Sequence, residues 1–215
     1  MGLNITFISD THTKHKHFNQ YLPGGDVIVC SGDISSRGYE REVQDFLEWY
    51  SELPYIHKIF IAGNHDFLFE ANPQKAQELL AQFPNVDYLE NSELVIDGVK
   101  FWGSPYSPRF FDWAFNVDRG EAIREHWLQI PLDTDILITH GPPYGIGDFT
   151  KRDKKNVGCE DLMDVVQSQI NPKVHVFGHI HEGYGLTLKD GTLFINASVL
   201  NERYEMVNPP MVVQI

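Results

Sequence analysis

The stretch NITFISDTH, residues 4–12, is a short apolar run that stops in Asp10 and His12. Four later runs share its build: DVIVCSGD (26–33), KIFIAGNHD (58–66), DILITHG (135–141) and KVHVFGHIH (173–181). Their apolar parts are β-branched and nearly continuous. Such runs suit strands covered on both faces, as in a parallel sheet. Each run ends in a side chain able to bind metal: Asp10, Asp33, Asn64, His140 and His179, with His181 two positions on. In open α/β sheets, ligands bind beyond the carboxyl ends of the strands. Parallel strands therefore predict these residues at one edge, although about 170 positions separate the first from the last.

Between the runs lie stretches with helical spacing. They are YEREVQDFLEWYSEL (39–53), PQKAQELLAQF (73–83), GEAIREHWLQI (120–130) and CEDLMDVVQSQI (159–170). In the first, Val43, Phe46, Leu47 and Tyr50 fall on one side. Pro73 suits the first turn of the second. Strand–helix alternation argues for an α/β architecture. Two segments read instead as hairpins, 92–103 around Asp97-Gly98 and 186–197 around Asp190-Gly191. Asp-Gly between strand-like runs favours a tight antiparallel turn. PMVVQI (210–215) adds a last strand. Two packed mixed sheets flanked by helices satisfy this pattern. No repeat or linker divides the 215 residues, which fit one domain over 1–215.

The formal charge is −13, which argues against a general grip on nucleic acid. It also leaves carboxylates available to bound cations. No stretch reaches the roughly 20 apolar residues needed to cross a bilayer, and no secretory leader is visible. Cys30 and Cys159 are distant from each other and form no disulfide framework. A cytoplasmic protein is the expectation. The sequence sets no oligomeric state.

Two carboxylates, an amide oxygen and four imidazoles make a mixed oxygen and nitrogen donor set without thiolate. Such a set suits Mn, Fe, Zn, Ni or Co better than Ca or Mg. It is too large for one ion and fits two that share a carboxylate. Two ions held together form a clamp for hydrolytic phosphoryl transfer.

The blocks Asp10-x-His12, Gly32-Asp33, Gly63-Asn64-His65-Asp66, His140-Gly141 and Gly178-His179-x-His181, in this order, resemble the calcineurin-like metallophosphoesterase superfamily. THGPP, VFGHIHEGYG, INAS and the ending VNPPMVVQI are similar to its metallophosphoesterase-domain-containing subfamily, which has animal and bacterial phosphodiesterase members. The resemblance covers nearly the whole chain. It implies a four-layer αββα sandwich with a dinuclear centre, manganese being favoured for activity. One ion would take Asp10, His12 and His181, the other Asn64, His140 and His179, with Asp33 between them. Some animal members carry Gly where His179 stands, so the full donor set is expected here.

The resemblance also implies hydrolysis of phosphodiesters, with small substrates such as cyclic nucleotides in front and a phosphomonoesterase, protein phosphatase or non-catalytic scaffold as alternatives. Attack would come from a hydroxide bridging the ions. His65 would assist the leaving oxygen, and Asp66 would hold the other nitrogen of His65. Arg37 has the spacing of a phosphate-holding Arg in phosphoprotein phosphatases, against the reading of a surface residue opening the next helix. His15 and His17 fall outside the motif and read as solvated loop residues. The aromatics Tyr106, Phe110, Phe111, Trp113 and Phe115 read mostly as a small core under a long loop. The cations Lys151, Arg152, Lys154 and Lys155 read as a charged loop.

Overall fold

The computed structural model describes residues 2–215. The strands that build its two main sheets are, in chain order, β1 (Asn4–Ile8), β2 (Val27–Cys30), β3 (His57–Phe60), β4 (Asp87–Tyr88), β5 (Ser92–Ile96) and β6 (Val99–Ser104). They continue with β7 (Ile136–Thr139), β8 (Val174–Phe177), β9 (Gly185–Lys189), β10 (Thr192–Asn196) and β11 (Met211–Gln214). The helices are α1 (Glu40–Glu52), α2 (Phe67–Ala71), α3 (Pro73–Leu80), α4 (Glu121–Trp127) and α5 (Glu160–Val165). α5 runs on into a π-helical turn, Val166–Ile170.

One sheet has the order β11-β1-β2-β3-β4, and the other β9-β10-β8-β7-β6-β5. In the first, β1 to β4 are parallel and β11 joins β1 antiparallel. In the second, β10, β8, β7 and β6 are parallel, and each edge is closed by an antiparallel hairpin strand. Both expected hairpins form. Asp97 and Gly98 turn at φ 48° and 81°, Asp190 and Gly191 at 51° and 87°. Two successive positive φ values give the turn twist that matches paired strands.

The period of two along each strand splits the core into three. Ile5, Phe7, Val27, Val29, Ile59, Ile136, Ile138, Val174 and Val176 fill the space between the sheets. Ile28, Cys30 and Phe60 point outward and meet Val43, Phe46, Leu47 and Tyr50 of α1. Leu137, Phe177 and Phe194 point outward from the second sheet onto Ile123 and Trp127 of α4 and Leu162 and Val165 of α5. The result is the expected αββα sandwich of two mixed sheets. Local chemistry fixes the helix starts. Glu42 accepts from the backbone N–H of Arg37 and Tyr39, and Asn72 caps α3 through the Lys75 N–H.

Candidate metal centre

β1, β2, β3, β7 and β8 all end at one rim of the sandwich, and Asp10, Asp33, Asn64, His140 and His179 follow those ends. The first three come from one sheet and the last two from the other. The loops that carry them are tightly wound. Asp10, His12, Asp33 and His179 adopt φ values of 55°, 41°, 52° and 66°. This left-handed region is uncommon for residues with a side chain and clusters at functional sites. Two glycines let the loops close. A methyl at Gly63 would lie 2.3 Å from Asp33 Oδ1, and one at Gly178 would lie 2.1 Å from Asp10 Oδ2.

Three groups of side chains put donor atoms within 4.8 Å of one another: Asp10, His12 and His181; His12, Asp33 and His65; and Asp33, His140 and His179. Asp33 turns one oxygen to each side. Its Oδ2 lies 3.6 Å from His12 Nε2 and its Oδ1 3.4 Å from His140 Nε2. Asn64 Oδ1 lies 2.9 Å from His140 Nε2. Asp10 Oδ1 lies 3.4 Å from His181 Nε2.

The imidazoles are anchored from behind. Nδ1–H donates to a backbone carbonyl in His140 (Ser31, 3.0 Å), His181 (Asn201, 2.9 Å), His12 (Ser35, 3.3 Å) and His65 (Ser36, 2.8 Å). A carbonyl only accepts, so these bonds fix the tautomer and turn Nε2 toward the centre. His12 Nε2 is buried with no hydrogen-bond partner, a cost that a cation would remove. The residues present therefore fit divalent ions.

The electrostatics agree with that fit. Burial opposes charge on His140 and His181, yet the carboxylates of Asp33 and Asp10 outweigh it and raise each imidazole to about 9. Burial pushes His12 and His179 the other way, to about 4. Burial would also raise Asp10 and Asp33, but the facing histidines hold both below the usual carboxylate range. The two buried carboxylates thus favour positive charge beside them, held here on the facing imidazoles and open to replacement by cations.

Asp66 does not do what the sequence suggested. Its carboxylate accepts from the backbone N–H of Gly63 (2.7 Å), Ile34 (3.2 Å) and Ser35 (2.9 Å) and from the Ser35 hydroxyl (2.6 Å). The Nδ1 of His65 goes to the Ser36 carbonyl instead. Asp66 ties the 33–38 loop to the 63–66 loop, and it holds no ring nitrogen. Burial and the nearby Asp33 charge raise it to about 6, against its own hydrogen bonds. His15 is a second correction. It is fully buried, bonds Asp45 at 3.1 Å and packs on Phe46 and Trp49 of α1. His17 is exposed, as read.

A cleft of about 700 Å³ opens over the centre. Its walls include His65, Arg109, Phe110, Trp113, Arg119, Lys151, Arg152, Lys155 and Tyr204. Trp113 lies against the His65 ring, with centroids 4.3 Å apart, and Tyr204 meets both His12 and His181. The aromatic stretch therefore divides. Phe115 is core, Trp113 and the half-exposed Phe110 are wall, and Phe111 is exposed. Arg37 is exposed and absent from the cleft wall, where Arg109, Arg119 and Arg152 stand. Tyr204 and Arg119 were missed by the sequence reading. Neither belongs to an apolar run or a motif, and only tertiary folding brings them here.

Two mixed sheets with histidines and carboxylates gathered at their shared rim define a metal-dependent phosphoesterase. The calcineurin-like phosphoesterase family matches residues 3–183, and the chain belongs to it. Metallophosphoesterase domain-containing protein 1 of Homo sapiens is 39% identical over 228 residues, covering 97% of this chain and 69% of that protein. A probable cyclic nucleotide phosphodiesterase of Synechococcus is 28% identical over 174 residues, covering 75% of this chain and 62% of the other. Among solved structures, TT1561 of Thermus thermophilus shares the fold, with a TM-score of 0.63 at 14% identity over 100% of this chain and 99% of that one.

Proposed function

We propose that the chain, acting as one domain over 1–215, hydrolyses small phosphodiesters at a centre for two divalent ions. Asp10, His12 and His181 would hold one ion. Asn64, His140 and His179 would hold the other, with Asp33 shared. The observation that carries this reading is the placement of Asp33, whose two oxygens turn toward different histidine groups. When bound, such ions acidify a coordinated water and offset phosphate charge, and manganese is the ion we favour.

The chain's own residues supply the rest. The Ser36 carbonyl fixes the proton of His65 on Nδ1, and Trp113 presses on the ring. Nε2 is thereby left facing the cleft, and in the imidazolium form, with a proton on each nitrogen, it donates to the leaving oxygen and returns to the Nδ1–H tautomer once that proton is passed on. Asp66 keeps the two loops in register. The cleft has room for substituents beyond the phosphate, and its aromatic and cationic walls suit a nucleotide-like diester. The name of the Synechococcus relative points the same way. Arg37 stays a candidate for phosphate contact only if its side chain swings in from the surface. Two buried, unpaired cysteines accord with a cytoplasmic setting.

The test is a substrate panel on protein loaded with Mn²⁺. It comprises a chromogenic diester, a chromogenic monoester and the 2′,3′- and 3′,5′-cyclic nucleotides. We expect both the chromogenic diester and at least one cyclic nucleotide to exceed the monoester in kcat/KM. A preference for the monoester overturns the diester assignment. The His65→Asn variant should keep its metal and lose about 10²- to 10⁴-fold in kcat. Unchanged turnover in that variant removes His65 from the chemistry.

A further inference from the structure

Ser198 stands 188 positions from Asp10 in the chain, yet its Oγ lies 2.6 Å from Asp10 Oδ2. Both side chains are fully buried. The carboxylate only accepts, so the serine hydroxyl donates. The backbone N–H of His179 reaches the same carboxylate, 3.0 Å from Oδ1 and 3.1 Å from Oδ2. Oδ1 also faces His181 Nε2 at 3.4 Å. One oxygen of Asp10 is thus turned into the donor group with His12 and His181, and the other is committed to Ser198.

The segment after β10 sets this up. The Asn196 amide Nδ2 donates to the Ile180 carbonyl at 2.8 Å, and its Oδ1 accepts from the Ser198 N–H at 3.1 Å. Val199 N–H donates to the Ser9 carbonyl at 3.0 Å, and Ser9 pairs with Ser198 in an isolated parallel bridge. Residues 196–199 therefore stitch one sheet to the other directly behind Asp10. A carboxylate free to rotate binds an ion through one oxygen or both. A carboxylate whose second oxygen is held by a buried hydroxyl offers one.

We infer that Ser198 is a positioning residue that makes Asp10 a one-oxygen ligand and so sets the affinity of the Asp10–His12–His181 ion site. Ser198 makes no hydrogen bond to the side chains of Asn64, His140 or His179 among the described residues, and the link from the His179 N–H to Asp10 Oδ1 does not need its hydroxyl, so the larger effect falls on the first site. The inference rests on the two-ion part of the proposed function and is independent of the substrate.

Cobalt(II) titration of the metal-free full chain, followed by calorimetry and by visible absorption, tests it. In Ser198→Ala, one of the two ions should bind about 10- to 100-fold more weakly, the range usual for loss of a partner behind a metal ligand. The other ion should be weakened less. The visible band of the weakened ion should lose intensity as Asp10 closes on it with both oxygens. Ser198→Thr retains the hydroxyl and should bind both ions as the wild type does. Wild-type affinity at both sites in Ser198→Ala overturns the inference, and so does equal weakening of both. If the alanine variant fails to fold, Ser198→Cys, with its weak S–H donor, takes its place with the same outcomes. A wild-type protein that binds a single ion overturns the two-ion reading instead. Ser198→Ala then decides the inference on that ion, and unchanged affinity rejects it.

Discussion

Gly63 has no space for a methyl group, because Asp33 and His140 converge on it within 2.6 Å of where a Cβ would sit. Gly63→Ala should therefore displace the shared carboxylate. We expect loss of at least one ion in elemental analysis and a destabilisation of about 1–3 kcal/mol in urea unfolding. Single residues also set the response to acid. Burial pushes His175 down to about 3, and its Nδ1 has no partner. Its Nε2–H donates to the Thr139 hydroxyl at 2.9 Å, which in turn donates to the Gly141 carbonyl. The folded protein thus holds His175 neutral, whereas the unfolded chain protonates it near pH 6.5. The unfolded state binds more protons between those values, so this group's stabilisation is present above pH 6.5 and is lost as pH falls toward 3. The slope is about 1.4 kcal/mol per pH unit at most. In His175→Leu, stability in urea should fall less steeply between pH 6.5 and 4.5 than in the wild type. Parallel slopes would show that His175 does not titrate on unfolding.

The helices and strands differ in how openly the chain declares them. α1 was legible because Val43, Phe46, Leu47 and Tyr50 repeat at helical spacing, and all four are buried against the first sheet. Phe46→Ala should cost about 3–5 kcal/mol, read from the urea midpoint. The five strands ending in ligands were legible for a similar reason, since every residue of β2, β7 and β8 is buried. β4 is only two residues long and carries no periodicity, so it was missed. The 3₁₀ turn His15–Tyr21 was missed as well. The cover over His15 comes from Phe46 and Trp49 of α1, about thirty positions away. Likewise Asp66 found its acceptor role through Ser35 and Ile34, which no spacing rule connects to it. The loop between β6 and α4 shows both outcomes. It buries Phe115 and lends Trp113 to the cleft. Trp113→Ala should lower kcat/KM about 2- to 10-fold, the worth of one aromatic contact, without lowering metal content.

Taken whole, the molecule carries a formal charge of −13, and part of that charge, on Asp10 and Asp33, is buried at one rim where histidines are its ion-pair partners among the described residues. Ions bound to the folded state alone stabilise it by mass action, about 2.7 kcal/mol at a hundredfold excess over Kd. Adding a chelator should lower the melting temperature by several degrees, and restoring Mn²⁺ should return it. No helix among the described residues is long and apolar enough to cross a membrane.

The donors come from both halves of the sandwich: Asp10, His12, Asp33 and Asn64 follow strands of one sheet, and His140, His179 and His181 follow strands of the other. A cation pair at that rim would act as a clasp across the seam, and its removal would leave the halves joined there by hydrogen bonds alone, from His140 to the Ser31 carbonyl, from the His179 N–H to Asp10 and from the Val199 N–H to the Ser9 carbonyl. Deuterium uptake at 178–181 and 197–199 should then quicken in chelator, while α1 and the strands beneath it exchange as slowly as before.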